Sequence, residues 1–380
     1  MSAAAPPPPS APDPPGPAPP NPVRLLVVDD SVSVRAVLRR FFSWTDDIQV
    51  VGEAADGEAA VRAVAELAPH VVLMDLVMPG LDGYRAIERI MSERPTPILV
   101  LSSKAARDQV RTAFEALRRG AVDVLPKPED PASWRHLAQV LPQLVREVAA
   151  SHAALQPAPA PRTRRRRVAA VEQEATLPRR DLRWLAIGAS TGGPTALADL
   201  LAALPPRPPV SVLIVQHISP GFEGGLIDWL AGETGLDVRL AREGESPPPG
   251  TVRLAPADAH LKVSADGRLV LDRETPAWRG HRPAVDELFF SLARAGASRV
   301  AAVLLTGMGS DGVQGMAELH RAGALTLVQD EVTSVVYGMP RAAWERGVAA
   351  KSLPPPEIAR EVARSWGGGP ASGATPREPA

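Results

Sequence analysis

Two α/β domains, each built on a doubly wound parallel sheet, are the fold class this sequence predicts, and three observations predict it. Short β-branched runs alternate with helical patterns along two separate stretches. A Pro-, Ala- and Arg-rich segment breaks the alternation between them. In both stretches the polar residues able to do chemistry fall just past apolar runs, where open α/β sheets gather their ligands. A length of 380 residues leaves room for about two or three domains, and 45% hydrophobic residues are enough for two cores.

The first 22 residues hold 11 prolines and no Lys or Arg, so they lack the basic and apolar regions of a secretory signal. They read as a disordered extension. From Val23 the strand-like runs VRLLVV, IQVVGEA, HVVLM, PILVLSS and VDVL alternate with helical patterns around VRAVLRRFF, EAAVRAVAEL, YRAIERIMSE and DQVRTAFEALRRG. A last helix is expected near Trp134 to Ala150, which sets the first domain at residues 23–148. Residues 149–180 lose periodicity in QPAPAPRTRRRR and LPRR and read as a tether. Its run Arg164 to Arg167 reads as solvated charge, with binding to an acidic surface as the alternative. The second domain, residues 181–366, has strands at RWLAIG, VSVLIVQ, RVAAVLLTG and ALTLVQ. Helices are expected around Thr195 to Ala203, Phe222 to Gly232, Val285 to Ala295, Gly312 to Ala322 and Pro340 to Gly347. TVRLAP, AHLKVS and GRLVLD read as short strands forming a hairpin on the sheet edge, and residues 367–380 as a frayed tail.

Composition excludes several classes of function. A formal net charge of −1 gives no electrostatic case for nucleic acid. Without cysteine there is no disulfide, thiolate zinc site or thiol nucleophile, so a nucleophile must be Ser, Thr or a carboxylate. No apolar stretch approaches the roughly 20 residues needed to cross a bilayer. A cytoplasmic protein is expected, without direct membrane insertion.

In the first stretch Asp29 and Asp30 end VRLLVV and Asp75 ends VVLM, so three carboxylates should meet at one sheet edge. Packed like charges raise one another's pKa unless a hard divalent cation such as Mg²⁺ neutralises them. A single Asp at a strand end is commonly only a helix cap; three, followed by LPKP, point to a site. These motifs resemble the flavodoxin-like receiver domain of two-component response regulators, over about residues 23–148. The resemblance implies that Asp75 accepts a phosphoryl group and that Asp29, Asp30 and a backbone carbonyl near Val77 hold Mg²⁺. It also implies that Lys127 pairs with the phosphoryl oxygens and that Ser102 supplies the switch hydroxyl. Two positions depart from the family: Val124 stands where an aromatic usually swings with the switch, and Pro126 precedes the Lys-Pro pair.

In the second stretch Gly188-Ala189-Ser190-Thr191-Gly192 follows a strand and leads through Gly193 and Pro194 into a helix. A G-x-S-x-G elbow needs this context, because glycines let the chain turn sharply and leave the serine oxygen exposed. Phosphate binding is the competing use of such a turn, but the Lys of a P-loop and the full dinucleotide spacing are missing. A serine needs a base. His217 lies just past VSVLIVQ and Asp311 just past RVAAVLLTG, so both emerge beside Ser190 at strand ends. His260 and His281 compete as bases, and Asp258 and Asp286 as orienters.

Residues 182–347 resemble the catalytic domain of chemotaxis receptor protein-glutamate methylesterases through IGASTGGP, VQHISPGF, LAPADAHL, HRPAVDELF and LTGMGSDG. A receiver ahead of this Rossmann-like domain is the CheB-type architecture. The resemblance implies Ser190, His217 and Asp311 as the triad, with Met308 and Thr191 near the oxyanion site. It further implies hydrolysis of receptor glutamate methyl esters without a cofactor for the hydrolysis itself, deamidation of receptor glutamines, chemoreceptors as partners and a chemotaxis histidine kinase as phosphodonor. A phosphorylation-controlled adaptor using the hydrolase fold only as a binding surface is the rival of another class.

Overall fold

The computed structural model describes residues 20–102, 107–155 and 180–366. The first sheet is entered by β1 (Val23–Val28), followed by α1 (Val32–Phe42), β2 (Ile48–Ala54), α2 (Gly57–Leu67) and β3 (Val71–Asp75). It continues through α3 (Gly83–Glu93), β4 (Ile98–Ser102), α4 (Arg107–Arg118), β5 (Asp123–Pro126) and α5 (Pro131–Leu155). Strand order is β2-β1-β3-β4-β5, and every pairing is parallel. Side chains alternate across the sheet. Leu26, Met74 and Val100 therefore pack with Ile87 and Ile90 on one face, and Leu25, Leu73 and Leu99 with Leu38, Phe42 and Leu141 on the other. Ser31, Asp56 and Asp82 start α1, α2 and α3 by accepting bonds from otherwise orphaned backbone N–H groups.

The second domain runs β6 (Trp184–Ala189), α6 (Gly193–Ala202), β7 (Ser211–Gln216), α7 (Glu223–Thr234), β8 (Asp237–Leu240), β9 (Thr251–Leu254), β10 (His260–Val263) and β11 (Leu269–Asp272). It ends with α8 (Val285–Gly296), β12 (Val300–Leu304), α9 (Val313–Arg321), β13 (Leu325–Gln329), α10 (Met339–Glu345), β14 (Lys351–Leu353) and α11 (Pro355–Ser365). Seven parallel strands form one sheet in the order β14-β13-β12-β6-β7-β9-β8. Chain order reverses on either side of β6, so the loops after β6, β7 and β12 open side by side.

The sequence expectation needs correcting at TVRLAP. Its residues form β9, a strand inside the main sheet between β7 and β8; only β10 and β11 make the antiparallel hairpin, a separate two-stranded sheet. Arg253 gives the run an edge-like polarity, yet its guanidinium is buried by Glu245 at 2.6 Å and Asp237 at 3.6 Å. The short β8 and β14, and α11, which starts within the triple proline Pro354 to Pro356, are additions to the expected elements. Helix α5 continues to Leu155, into the stretch expected to be a tether. The rest of that tether with Arg164 to Arg167, most of the Pro-rich head and the C-terminal tail lie outside the described residues. Among the described residues no helix is long and apolar enough to cross a membrane.

Candidate active site and acidic pocket

In the first domain β1 and β3 flank the point where strand order reverses, and their ends open on one crevice. One carboxylate oxygen from each of Asp29, Asp30 and Asp75 lies within 4.8 Å of the others. Lys127 Nζ sits 2.7 Å from both Asp29 Oδ2 and Asp75 Oδ2. The Lys127 backbone N–H donates to Ser102 O at 2.7 Å, which brings the buried Ser102 to the same edge. Val77 lies at the exposed rim and its N–H donates to Asp75 Oδ1 at 3.3 Å. Burial pushes Asp29 above the ordinary carboxylate range, with Lys127 and the Ser31 N–H offsetting part of the rise. Burial also pulls Lys127 down, but Asp29 and Asp75 more than reverse it and leave it above its ordinary value. One ammonium cannot neutralise three carboxylates. The oxygen-only donor set fits a hard divalent cation such as Mg²⁺.

In the second domain the turn that carries Ser190 is held by three hydrogen bonds. Ser190 N–H donates to Thr306 O at 3.0 Å, Gly193 N–H donates to Ser190 O at 2.8 Å, and Gln216 Nε2 donates to Ser190 O at 2.8 Å. Gln216 Nε2 also donates to His217 O at 2.9 Å, so one buried amide ties the serine loop to the histidine loop. Glycine is required where these loops close: a Cβ on Gly307 would lie 2.6 Å from Ser190 Cβ, and Gly192 has φ +72°. Behind them the single O–H of the buried Thr306 lies between two acceptors, Thr191 O at 3.0 Å and Val336 O at 3.2 Å from Oγ1, while its backbone N–H donates to Gln329 Oε1 at 2.7 Å. Gln216, Thr306 and Gln329 escaped the sequence reading. The available signal was a polar residue closing, or following, an otherwise apolar strand.

His217 and Asp311 meet at 2.8 Å, through Nε2 and Oδ2. Asp311 also accepts from the N–H groups of Val285 at 2.7 Å and Asp286 at 3.0 Å, at the start of α8. Burial alone would push Asp311 up, but His217 and those two N–H groups together hold it below the ordinary carboxylate range. With Asp311 ionised and the imidazole neutral, the proton belongs on Nε2, and the lone pair on Nδ1. His217 Nδ1 is buried without a hydrogen-bond partner among the described residues. Ser190, Thr191, His217 and Met308 line the same crevice.

The competing residues have other employment. His260 Nδ1 accepts from Ala284 N–H at 3.2 Å, and Nε2 lies 3.2 Å from Pro276 O. Asp258 is paired at the surface with Arg273 at 2.8 Å. Asp286 accepts from Trp278 Nε1 at 3.0 Å and Gly315 N–H at 2.7 Å; burial, then the charge of Asp311, push it up to about 6. His281 stacks on His217, with ring centroids 3.9 Å apart.

The crevice, of about 380 Å³, is closed by the first domain: Phe114, Asp123, Val124 and Leu125 form its other wall. Phe114 packs edge-on against Phe222 at 6.4 Å and stacks on Trp229 at 6.1 Å. Val124, the position where the family carries an aromatic, therefore faces the second domain. Pro126 ends β5 beside Ser102 without an N–H to give the ladder.

A family model described as response regulator receiver domain matches residues 25–139, and one described as CheB methylesterase matches residues 185–362. Protein-glutamate methylesterase/protein-glutamine glutaminase 4 of Geobacter metallireducens is 41% identical over 344 residues, covering 88% of this chain and 96% of that protein. The protein-glutamate methylesterase/protein-glutamine glutaminase of Symbiobacterium thermophilum is 41% identical over 367 residues, covering 92% and 98%. Among solved structures, the CheB methylesterase catalytic domain of Thermotoga maritima is 36% identical with a TM-score of 0.46, covering 48% of this chain and 97% of that one.

Proposed function

Because the chain belongs to the CheB-type family of protein-glutamate methylesterases/protein-glutamine glutaminases, with a receiver domain ahead of the methylesterase domain, we propose that it is a phosphorylation-activated serine esterase acting on the glutamate γ-methyl esters, and the glutamines, of chemoreceptors. Ser190 is the nucleophile, His217 the base and then the acid, and Asp311 the group that sets the histidine tautomer. The observation that carries this assignment is the 2.8 Å contact of His217 Nε2 with Asp311, which leaves Nδ1 as the free nitrogen in the crevice lined by Ser190.

The chemistry balances on these residues. Ser190 Oγ attacks the ester carbonyl as its proton passes to His217 Nδ1, and the backbone N–H groups of Thr191 and Met308 take the oxyanion. His217 returns the proton to the departing methoxide, and methanol leaves an acyl-serine. Water, deprotonated by the same nitrogen, then cleaves the acyl bond, frees the glutamate carboxylate and restores Ser190. With a glutamine substrate the leaving group is ammonia. Each turnover places a negative charge on a receptor helix, which is the adaptation signal implied by the family.

The receiver gates this site. Asp75 is the phosphoryl acceptor, Lys127 and Ser102 contact the phosphoryl group, and a histidine kinase is the phosphodonor. Asp29, Asp30 and Asp75, with the Val77 carbonyl, would hold Mg²⁺, which supplies charge neutralisation for the phosphoryl oxygens. The wall that Phe114 and Asp123 build over the crevice supports inhibition by the resting receiver. Methanol release from methylated receptor membranes tests the proposal. We expect it to rise with a small phosphodonor and Mg²⁺ and to vanish in Ser190→Ala; release that persists in that variant would refute it.

A further inference from the structure

A serine gives up its proton only to a base whose ring is held in plane, and one hydrogen bond does not hold a plane. His217 is anchored by its backbone N–H to Ala189 O at 3.0 Å, and its ring by Nε2 to Asp311 at 2.8 Å. About the axis of the Nε2 contact the ring can still tilt, which moves Nδ1 within the crevice that Ser190 also lines. A second constraint is present. The His281 ring lies on that of His217 with centroids 3.9 Å apart and planes 3° from parallel.

His281 is itself tied to the frame that holds the triad. Trp278 and His281 exchange backbone hydrogen bonds, both at 2.9 Å. Trp278 Nε1 donates to Asp286 Oδ2 at 3.0 Å, and the Asp286 N–H donates to Asp311 Oδ1 at 3.0 Å. The contacts close a ring: His217 to Asp311, Asp311 to Asp286, Asp286 to Trp278, Trp278 to His281, and His281 back to His217. Movement of the orienting carboxylate and of the stacked ring is therefore coupled, so the base sees both as one rigid mount.

We propose that His281 is a positioning residue for ester hydrolysis, its imidazole serving as a flat face that fixes the plane of His217 while that ring carries the serine proton. The inference rests on His217 being the base of the esterase proposed above. Its charge state suits the task. Burial, and then the charge that His217 carries when protonated, hold His281 down to about 4, with Asp311 opposing them. Near neutral pH the stacked ring is uncharged and does not repel the imidazolium forming beside it. Flatness is the required property, so an aromatic ring can replace the imidazole and an aliphatic side chain cannot.

The test uses the full-length protein with phosphodonor and Mg²⁺. Two quantities are measured: the rate constant for labelling Ser190 with a fluorophosphonate, and kcat and KM for methanol release from receptor membranes. His281→Ala is expected to slow labelling and kcat roughly tenfold to a hundredfold, the scale of a misplaced catalytic group, with KM nearly unchanged. His281→Phe should recover most of that loss. His281→Leu, which keeps bulk without a flat face, should behave like His281→Ala and replaces it if the smaller side chain prevents folding, as judged by the unfolding midpoint. Wild-type rates in both aliphatic variants overturn the proposal. A folded His281→Phe as slow as His281→Ala, or a change confined to KM, overturns it equally. Failure to label wild-type Ser190 sinks the esterase reading, a result distinct from any of these.

Discussion

Asp123 Oδ2, on the receiver strand β5, accepts a 3.2 Å hydrogen bond from the backbone N–H of Gly192, two residues past Ser190. Its other oxygen accepts from Val124 N–H at 2.8 Å. Burial nevertheless dominates and pushes Asp123 from 3.8 up to about 6. The sign follows from linkage: a group whose pKa is raised on docking favours the docked state when protonated, fully below about 4, and that contribution is lost as pH rises through about 6.

Asp123→Asn keeps an acceptor for Gly192 but removes the charge that opposes docking. We expect it to lower activity without phosphodonor at pH 7.5, by roughly tenfold, after discounting the shift for the partial exposure of the group. Taking the ratio of wild-type to variant activity at each pH cancels the titration of the catalytic groups. That ratio should be near one below about pH 4, climb between about pH 4 and 6, and level off above. A ratio flat with pH would mean that the carboxylate has no part in docking.

Phe114 is fully buried between Phe222 and Trp229, whereas the nearby Arg118–Glu233 contact, 3.3 Å long, is largely exposed. Burial decides which matters more. Truncating a buried Phe costs about 3–5 kcal/mol, here shared between receiver stability and docking, while an exposed ion pair contributes about 0–1 kcal/mol. Phe114→Ala should raise activity without phosphodonor toward the phosphorylated level and shrink the response to phosphodonor. Arg118→Ala should leave both close to wild type. Methanol release with and without phosphodonor distinguishes the two variants.

The acidic pocket predicts a different phenotype. Asp75→Asn removes the proposed phosphoryl acceptor, and a chelator removes the divalent cation that the three carboxylates would hold. Either change should abolish the increase caused by phosphodonor, leaving the rate at its unstimulated level. Lys127→Ala should do the same for another reason: Asp29 and Asp75 lose the cation now 2.7 Å from each, and Asp29, already raised by burial, rises further. Titration of activity against phosphodonor measures all three, in magnesium buffer for the two variants and in chelator for the wild type.

Residues at the carboxyl ends of the strands were legible in the sequence, since a buried parallel strand writes itself as an apolar run and the first polar residue beyond it marks the crevice. Asp29, Asp75, Ser190 and His217 stand at such positions, at or just past the ends of β1, β3, β6 and β7. Choosing His217 over His260 on physical grounds needed coordinates, because the bonds of His260 to Ala284 and Pro276 leave no periodic trace. TVRL was misplaced because an ion-paired arginine inside a sheet looks like one at its edge. Contacts joining distant segments, such as Asp123 with Gly192 or Thr306 with Thr191, separate 69 and 115 positions in the chain and have no local signature.

Gln216 is the most consequential of the residues missed. Its Nε2 bridges Ser190 O and His217 O, and its Oε1 is buried without a partner among the described residues. Gly193 makes room for the amide, because a Cβ there would stand 2.0 Å from Oε1. Gln216→Leu removes both bonds and lets the two loops part, so kcat should fall roughly tenfold to a hundredfold with little change in KM. Gln216→Glu is more telling. A buried carboxylate facing two carbonyl oxygens repels both, and its pKa must rise; once protonated it recovers one donor. Its kcat relative to wild type should therefore be lowest at high pH and increase as pH falls, a trend that is absent if Gln216 only fills space. Ratios of kcat between pH 5.5 and 8.5 decide between these accounts, since a space-filling role leaves the ratio constant.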